Sequence, residues 1–291
     1  MIKLKDILFE SEVPDIFVPR RIGDRQSRLN KLTQMEVNRV VDDYKKNPSK
    51  FHPGKTLSLS NNAKLAYPDI SLSGDFIVPD SLEIVEGDFI LENSNVTKLP
   101  DDLIVLGHLT VEDCKKLKEL PHRLQVERVW GDNSGLIKIP DDIECSILSL
   151  KGTKIVELPI FKNNIDQIDL ELTKFKKLPE GFTNCSILDI SFTNIEQIPN
   201  NVKVLSLNAS NCLRLISVGS GCEFQELNLA RCFGLQTISK DLKAEKVYLY
   251  GGSSTPFLSD YIRKYKSKAG IEKALSKDYP DVKKFVYSDQ R

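Results

Sequence analysis

A Leu/Ile-Pro dipeptide returns along this chain with an almost fixed step. It stands at Leu99-Pro100, Leu120-Pro121, Ile139-Pro140, Leu158-Pro159, Leu178-Pro179 and Ile198-Pro199, at intervals of 19 to 21 residues. Val78-Pro79 fits one step earlier, and Ile238-Ser239 continues the series without the proline. Between these anchors lies an apolar-x-apolar triplet, read at Phe89/Leu91, Leu109/Val111, Leu148/Leu150, Ile168/Leu170, Leu188/Ile190, Leu205/Leu207, Leu227/Leu229 and Val247/Leu249. Val129/Gly131 fills the missing step in degraded form, and Ile70/Leu72 begins the series. Two markers with one period make repetition the organising rule of the fold. A unit this short cannot bury its own leucines, so neighbouring units must stack.

The chemistry of one unit sets its shape. Apolar alternation over a few residues gives a short strand with one buried face. Proline has no N–H and a fixed φ, so it belongs in an extended or 3₁₀ return segment and not in the strand ladder. Stacked units then pair their strands in parallel. Three residues after each triplet stands a small side chain, at Ser94, Cys114, Ser134, Thr153, Thr173, Thr193, Ser210 and Cys232. Ser and Thr make local side-chain-to-backbone bonds in turns, which gives these positions, Cys114 and Cys232 included, a structural role. The fold class expected is an α/β solenoid with a parallel sheet on its concave side, an extended or 3₁₀ convex side, and helical caps at both ends.

With this pattern in view, residues 70–250 resemble the short leucine-rich repeats of bacteria and viruses. Val85-Glu-Gly-Asp-Phe-Ile-Leu91 and Leu99-Pro-Asp-Asp-Leu103 are similar to the LPD-x-L-x-V-x-G-D-L-x-L repeats of tailed-bacteriophage proteins. They are also similar to the Leu-Pro-rich repeats of bacterial effectors delivered into host cells. The resemblance implies a phage-encoded protein-binding module. Two other implied readings are a structural or packaged virion component and a host-directed effector without a catalytic domain. Effectors of that class often append a ubiquitin-ligase domain with a catalytic cysteine. Here all six cysteines (114, 145, 185, 212, 222 and 232) fall among the repeats, and only residues 256–291 follow them.

Three segments are expected: 1–50 as an N-terminal segment and helical cap, 51–252 as the solenoid, and 253–291 as a C-terminal helical cap. Residues 27–47 carry apolar side chains at helical spacing, with Thr33 as N-cap and Glu36 completing a capping box. Pro256 opens a second helical stretch whose Leu258, Tyr261, Ile262 and Tyr265 would lie over the last repeat, and whose basic face at 263–268 reads as a solvated surface, with a patch for nucleic acid or an acidic partner as the alternative. MIKLKDILFE at the start resembles the leader peptides of some tailed-phage head proteins, and Leu8-Phe9-Glu10 matches the Leu/Ile-x-Glu context in which they are trimmed. The resemblance implies processing after Glu10.

Composition narrows the function. Net charge is zero, which argues against a dedicated nucleic-acid or membrane-surface binder, although residues 51–255 hold −7 between two mildly basic ends. No apolar run approaches bilayer-spanning length, and no secretory h-region is present. Cysteines without a CxxC pair read as reduced thiols of a cytoplasmic chain, and the phage resemblance implies the host cell or the virion as its place. Three histidines, His52, His108 and His122, show no metal-ligand spacing, and neither a nucleophile elbow nor a phosphate loop is present, so no metal, cofactor or catalysis is expected. Asp101-Asp102 and Asp141-Asp142 follow the Leu-Pro anchors in equivalent places and read as turn and capping residues.

A protein partner is therefore expected on the concave face, where strand side chains between the buried pairs point outward. The candidates are Asp88, Glu92, His108, Glu112, Arg128, Trp130, Asp132, Asp169, Glu171, Asp189, Glu226, Lys246, Tyr248 and Tyr250. The repeat at 204–208 is read with Val204, Ser206 and Asn208 outward. Nine strands at about 4.8 Å each give a face about 40 Å long, enough for a standard interface. Acidic residues at its centre would steer a basic partner. Trp130, the single tryptophan, beside Arg128, and the Tyr248/Tyr250 pair are the expected anchors, being of the types enriched in hot spots. Because its repeat is degraded, Trp130 has the alternative of folding inward. The sequence sets no oligomeric state.

Overall fold

A computed structural model describes residues 82–85, 87–251 and 255–288, with isolated positions between 65 and 80. The chain divides into two compact units, Met1–Thr33 and Gln34–Arg291, and everything described lies in the second. Glu10 and the helix expected over 27–47 lie outside the described residues.

The first half of the solenoid contains β1 (Leu65–Ala66), β2 (Ile70–Ser71), β3 (Ile84–Val85), β4 (Phe89–Ile90), β5 (Ile104–Thr110), β6 (Gln125–Trp130) and β7 (Ile147–Ser149). The second contains β8 (Ile165–Asp169), β9 (Cys185–Asp189), β10 (Gln197–Ile198), β11 (Ser206–Asn208), β12 (Ser217–Val218), β13 (Glu223–Asn228), β14 (Thr237–Ile238) and β15 (Lys243–Tyr250). Helices α1 (Pro256–Tyr265) and α2 (Lys268–Asp278) follow, and β16 (Val282–Ser288) ends the described fold. One 13-stranded sheet takes a strand or strand pair from every turn, and all of its pairings are parallel.

One column of Cα partners runs the length of this sheet: Ile70, Phe89, Leu109, Val129, Leu148, Ile168, Leu188, Leu207, Leu227, Val247 and Phe285. Within a turn the inward positions follow the expected alternation and then continue around the loop. Leu148, Leu150, Thr153, Ile155, Leu158, Phe161 and Ile165 are all buried, and the next turn repeats the set from Ile168. Full burial of each large aliphatic or aromatic side chain contributes about 1.5–3 kcal/mol, and no turn supplies both walls of its own core.

The register at 204–210 differs from the expected one. Leu207 pairs with Leu188 and Asn208 with Asp189, so the inward pair is Leu207/Ala209 and the outward residues are Ser206, Asn208 and Ser210. Ala209 is fully buried, while Leu205 is exposed. The small ladder position is accordingly Cys212 and not Ser210. Its thiol donates to the Ile190 carbonyl at 3.1 Å. Cys114 and Cys232 likewise donate to carbonyls of the preceding turn, Leu91 at 2.8 Å and Ala209 at 3.0 Å. Threonines in the same column instead close their own turn: Thr153, Thr173 and Thr193 donate to Leu150, Leu170 and Ile190 at 2.7, 2.7 and 2.6 Å.

Each turn leaves the sheet through one residue with positive φ. The series is Asn93, Asp113, Asn133, Gly152, Leu172, Phe192, Asn211, Arg231 and Gly251. Asn, Asp and Gly tolerate this left-handed conformation, whereas Leu172 and Phe192 do not do so readily.

Of the two forms expected for the return side it takes the extended one, and no 3₁₀ helix occurs among the described residues. Instead β10, β12 and β14 form a second parallel sheet, and single bridges Glu119↔Lys138 and Glu157↔Lys177 mark the same place in earlier turns. Proline explains why the sheet is confined to the later turns. Gly219 and Ser239 replace it and donate their N–H groups to Ile198 and Val218 at 2.8 and 3.1 Å, bonds that no proline can make.

After Thr255, which caps α1 by accepting from the Leu258 N–H at 3.3 Å, the chain forms the helices expected from its sequence. Phe257 and Leu258 are buried, and the exposed Arg263 pairs with Asp260. The strand that follows was not foreseen. β16 pairs in parallel with β15 and places Val282, Phe285 and Tyr287 against Ala244, Val247 and Leu249, the inward pattern of a repeat strand. Tyr279 anchors this end, with its hydroxyl donating to Ile238 at 3.0 Å and its ring 5.6 Å from Phe285.

Candidate functional site

The outward side chains of the large sheet form three rows. The first holds Asp88, His108, Arg128, Ile147, Gln167, Ile187, Ser206, Glu226 and Lys246. Trp130, Asp169, Asp189 and Tyr248 lie in the second row, and Glu92, Glu112, Asp132, Glu171 and Tyr250 in the third. The fourteen residues singled out from the sequence thus share one face, and their surroundings differ along it.

Trp130 does not fold inward. It lies between Thr110 and Ser149 in the second row, half-buried and flanked on both sides by small side chains. The inward position of its turn is Gly131, where an added Cβ would stand 3.0 Å from Leu150 Cδ2 and 3.3 Å from Leu136 Cδ1. Neighbouring leucines therefore close the gap that the missing side chain leaves. In the adjacent row His108 and Arg128 are register partners. His108 Nδ1 and Arg128 Nε are both buried without a hydrogen-bond partner, and the nearest carboxylate oxygen of Glu127 is 3.6 Å from the guanidinium. A buried donor left unpaired costs about 1–3 kcal/mol, which an incoming acceptor would recover.

Glu92, Glu112 and Asp132 follow one another in successive turns of the third row, with Asp113 beside them. Burial raises the Glu112 pKa from its ordinary value, and repulsion from Asp132, Glu92 and Asp113 adds to the effect. Like charges held this close favour a cationic neighbour.

The central acids have another role. Asp189 accepts from the Ser191 N–H at 2.8 Å and Oγ at 2.6 Å, and Asn208 donates to its second oxygen at 2.8 Å. Asp169 accepts from the Glu171 N–H at 3.0 Å, as Asn208 and Asn228 do from Ser210 and Ala230 at 3.2 and 3.0 Å. Asp132 reaches the next turn, accepting from Ser149 Oγ at 2.7 Å and the Lys151 N–H at 3.0 Å. These side chains form an Asx ladder that satisfies the backbone where each strand ends. Asp169 and Asp189 are buried, and burial with Asp189 alongside pushes the Asp169 carboxyl up to about 6. Burial works against the Lys151 ammonium, but ion pairs to Asp169 at 3.1 Å and Glu171 at 3.2 Å hold its pKa above the ordinary value. The sequence pattern marked these acids as outward without indicating that the backbone already engages them. The i+2 spacing to a turn is the signal that identifies them.

At the far end Glu226 accepts from Lys246 at 3.0 Å and from the Tyr248 hydroxyl at 3.3 Å. Tyr248 and Tyr250 stack with centroids 5.8 Å apart, and Tyr250 is exposed. Burial, then Glu226, raises the Tyr248 pKa, so it stays a protonated donor.

Other chemistry is sparse. The six cysteines are free and buried, and burial pushes the Cys185 thiol up to about 12. The repeated aspartates after the Leu-Pro anchors serve as caps: Asp101 accepts from the His122 N–H at 2.9 Å and Asp142 from the Arg123 N–H at 3.1 Å. Among the described residues, no group of three His, Cys, Asp or Glu side chains is placed to hold a metal ion, and no helix is long and apolar enough to cross a membrane. In comparisons with known proteins the chain matches no family model, and no curated protein matches it.

Proposed function

We propose that this chain is a leucine-rich-repeat binding module that holds a partner protein across the outward face of its large sheet. The observation that carries the reading is the patch in which Trp130 stands between two small residues while His108 Nδ1 and Arg128 Nε, one row away, lack hydrogen-bond partners. A large amphipathic ring with unsatisfied polar neighbours matches the centre of a binding hot spot. The stripe Glu92–Glu112–Asp132 alongside favours a partner with a basic patch. The leucine-rich assignment rests on one short parallel strand per turn, the Leu-x-Leu column, and the Thr/Cys/Ser ladder. In this reading α1, α2 and β16 are the cap of the final turn.

Site-specific photocrosslinking tests the proposal. A crosslinking side chain at Glu112, beside the Trp130 patch, should capture a protein, whereas one at Lys177, away from the sheet face, should not. Trp130→Ala should lower that capture by about thirtyfold or more, the effect of losing a hot-spot residue, with an unchanged circular dichroism spectrum and Tm. Equal capture from Lys177, or unfolding of the Trp130→Ala protein, would refute the reading.

A further inference from the structure

Of the eleven large hydrophobic side chains exposed among the described residues, seven lie on a single flank of the solenoid, in the segments that run from each strand of the large sheet into the return. Leu172 and Phe192 occupy the left-handed position of two successive turns, 60% and 49% exposed. In the next two turns Leu213 and Phe233 stand two residues past the left-handed position, 59% and 43% exposed. Phe233 Cε1 comes within 3.9 Å of where a Cβ on Gly251 would stand, so its ring leans toward the row of left-handed residues. Ile137, Val156 and Ile216 lie one short step along the same segments. Asn, Asp or Gly fills the left-handed position in most other turns. A Leu or Phe there is conformationally strained without the burial that would compensate for it, which points to a use outside the fold.

The charge of this flank is opposite to that of the sheet face. Segments 113–119, 133–138, 152–157, 172–177, 192–197, 211–217 and 231–237 carry ten Lys/Arg against four Asp/Glu. Lys174, Lys176 and Lys177 are all exposed within the turn of Leu172. The outward sheet rows from Asp88 to Lys246 carry eight Asp/Glu against three Lys/Arg, so a net charge of zero conceals an acidic face and a basic flank. Exposed Leu and Phe tips surrounded by lysines have the composition of surfaces that insert into the headgroup region of anionic bilayers. The apolar side chains project singly from successive turns, and a bilayer accepts such tips without a shaped receiving groove.

We propose that this flank docks on an anionic lipid surface, with Leu172, Phe192, Leu213 and Phe233 entering the interface and the neighbouring lysines and arginines holding the headgroups. The full chain should float with vesicles of phosphatidylcholine containing a third phosphatidylglycerol, and not with phosphatidylcholine alone. Binding should weaken as salt rises from 0.1 to 0.5 M. The double variant Leu172→Asn/Phe192→Asn should reduce partition by more than about tenfold. Since Asn suits the left-handed backbone, its Tm should stay level or rise, which separates lost insertion from misfolding. Trp130→Ala lies on another face and should partition like the wild type, so the fate of the protein-binding reading is independent of this one. Absence of wild-type partition at low salt would overturn the proposal. Partition unchanged in the double variant would do the same, because charge alone would then account for it. A wild-type dimer in light scattering that the double variant abolishes, without vesicle binding, would assign the flank to a second copy instead.

Discussion

Asp169→Asn should make the protein more stable at neutral and alkaline pH. Asp169 is 3% exposed, and its carboxyl is raised from 3.8 to about 6 by burial and by Asp189. A carboxyl whose folded pKa lies above its unfolded value is least costly when protonated. Its contribution is complete below about pH 4 and lost as pH rises through about 6. The displacement corresponds to about 3 kcal/mol against the ionised form at pH 8. Asn removes that charge and keeps the oxygen that accepts from the Glu171 N–H, as Asn208 and Asn228 already do in later turns. That displacement is already net of the Lys151 ion pair, and what stands against it is the Asn amide N–H group turned toward the Lys151 ammonium, which keeps Glu171 at 3.2 Å. With about 1 kcal/mol assigned to that unpaired amide, the net gain is about 1–2 kcal/mol at pH 8. For a unit of this size that raises Tm by about 2–8 °C. Thermal melts of both proteins at pH 4 and pH 8 read the effect directly: the variant should melt higher at pH 8, and that advantage should be lost at pH 4. A variant that melts no higher than wild type at pH 8, with the pH dependence unaltered, would refute the assignment of Asp169 as a buried charge working against the fold.

The six buried thiols should give no rapid reaction with Ellman's reagent at pH 8 in native protein, and six equivalents after denaturation in guanidinium; fast colour from folded protein would contradict their burial. Two glycine substitutions should differ in size for separate reasons. Gly135→Ala would drive a Cβ into the Lys115 carbonyl oxygen, costing about 3 kcal/mol or more, whereas Gly181→Ala meets nothing within 4 Å and costs only the left-handed penalty of about 1 kcal/mol at φ +68°. Urea midpoints in the reverse order would be inconsistent with the packing at these turns.

The repeat, its parallel stacking and the identity of the outward face were legible because leucine spacing and proline chemistry are both periodic. The error at 204–210 shows where that signal fails. Leu205 and Leu207 look like an inward pair, but the inward side chain after Leu207 is the small Ala209. Step length held the correction, since Cys212 stands twenty residues before Cys232 and both thiols take the same ladder bond. Composition drew attention to Asp169 and Asp189 as charges, whereas their function in the fold depends on a hydrogen bond two residues ahead, which hydrophobic patterning does not register. β16 was missed because it is separated from its partner β15 by two helices, and Val282, Phe285 and Tyr287 carry no repeat marker. The basic flank was hidden for a different reason: its residues come from seven turns and gather only when the turns are stacked.

That last strand also shapes how the molecule is made. A growing chain that has emerged as far as Tyr250 carries a hydrogen-bonding rim with nothing to pair it, the condition that leads β proteins to adhere to one another. The segment that closes it ends at Ser288, so at ordinary translation speeds the rim stays open for about 2–8 seconds. Once β16 arrives it becomes the new edge, and Lys283 and Lys284 stand on it as charged guards. Clumping of this protein during expression should therefore depend on synthesis rate and on chains stalled before residue 282 more than on the stability of the finished solenoid.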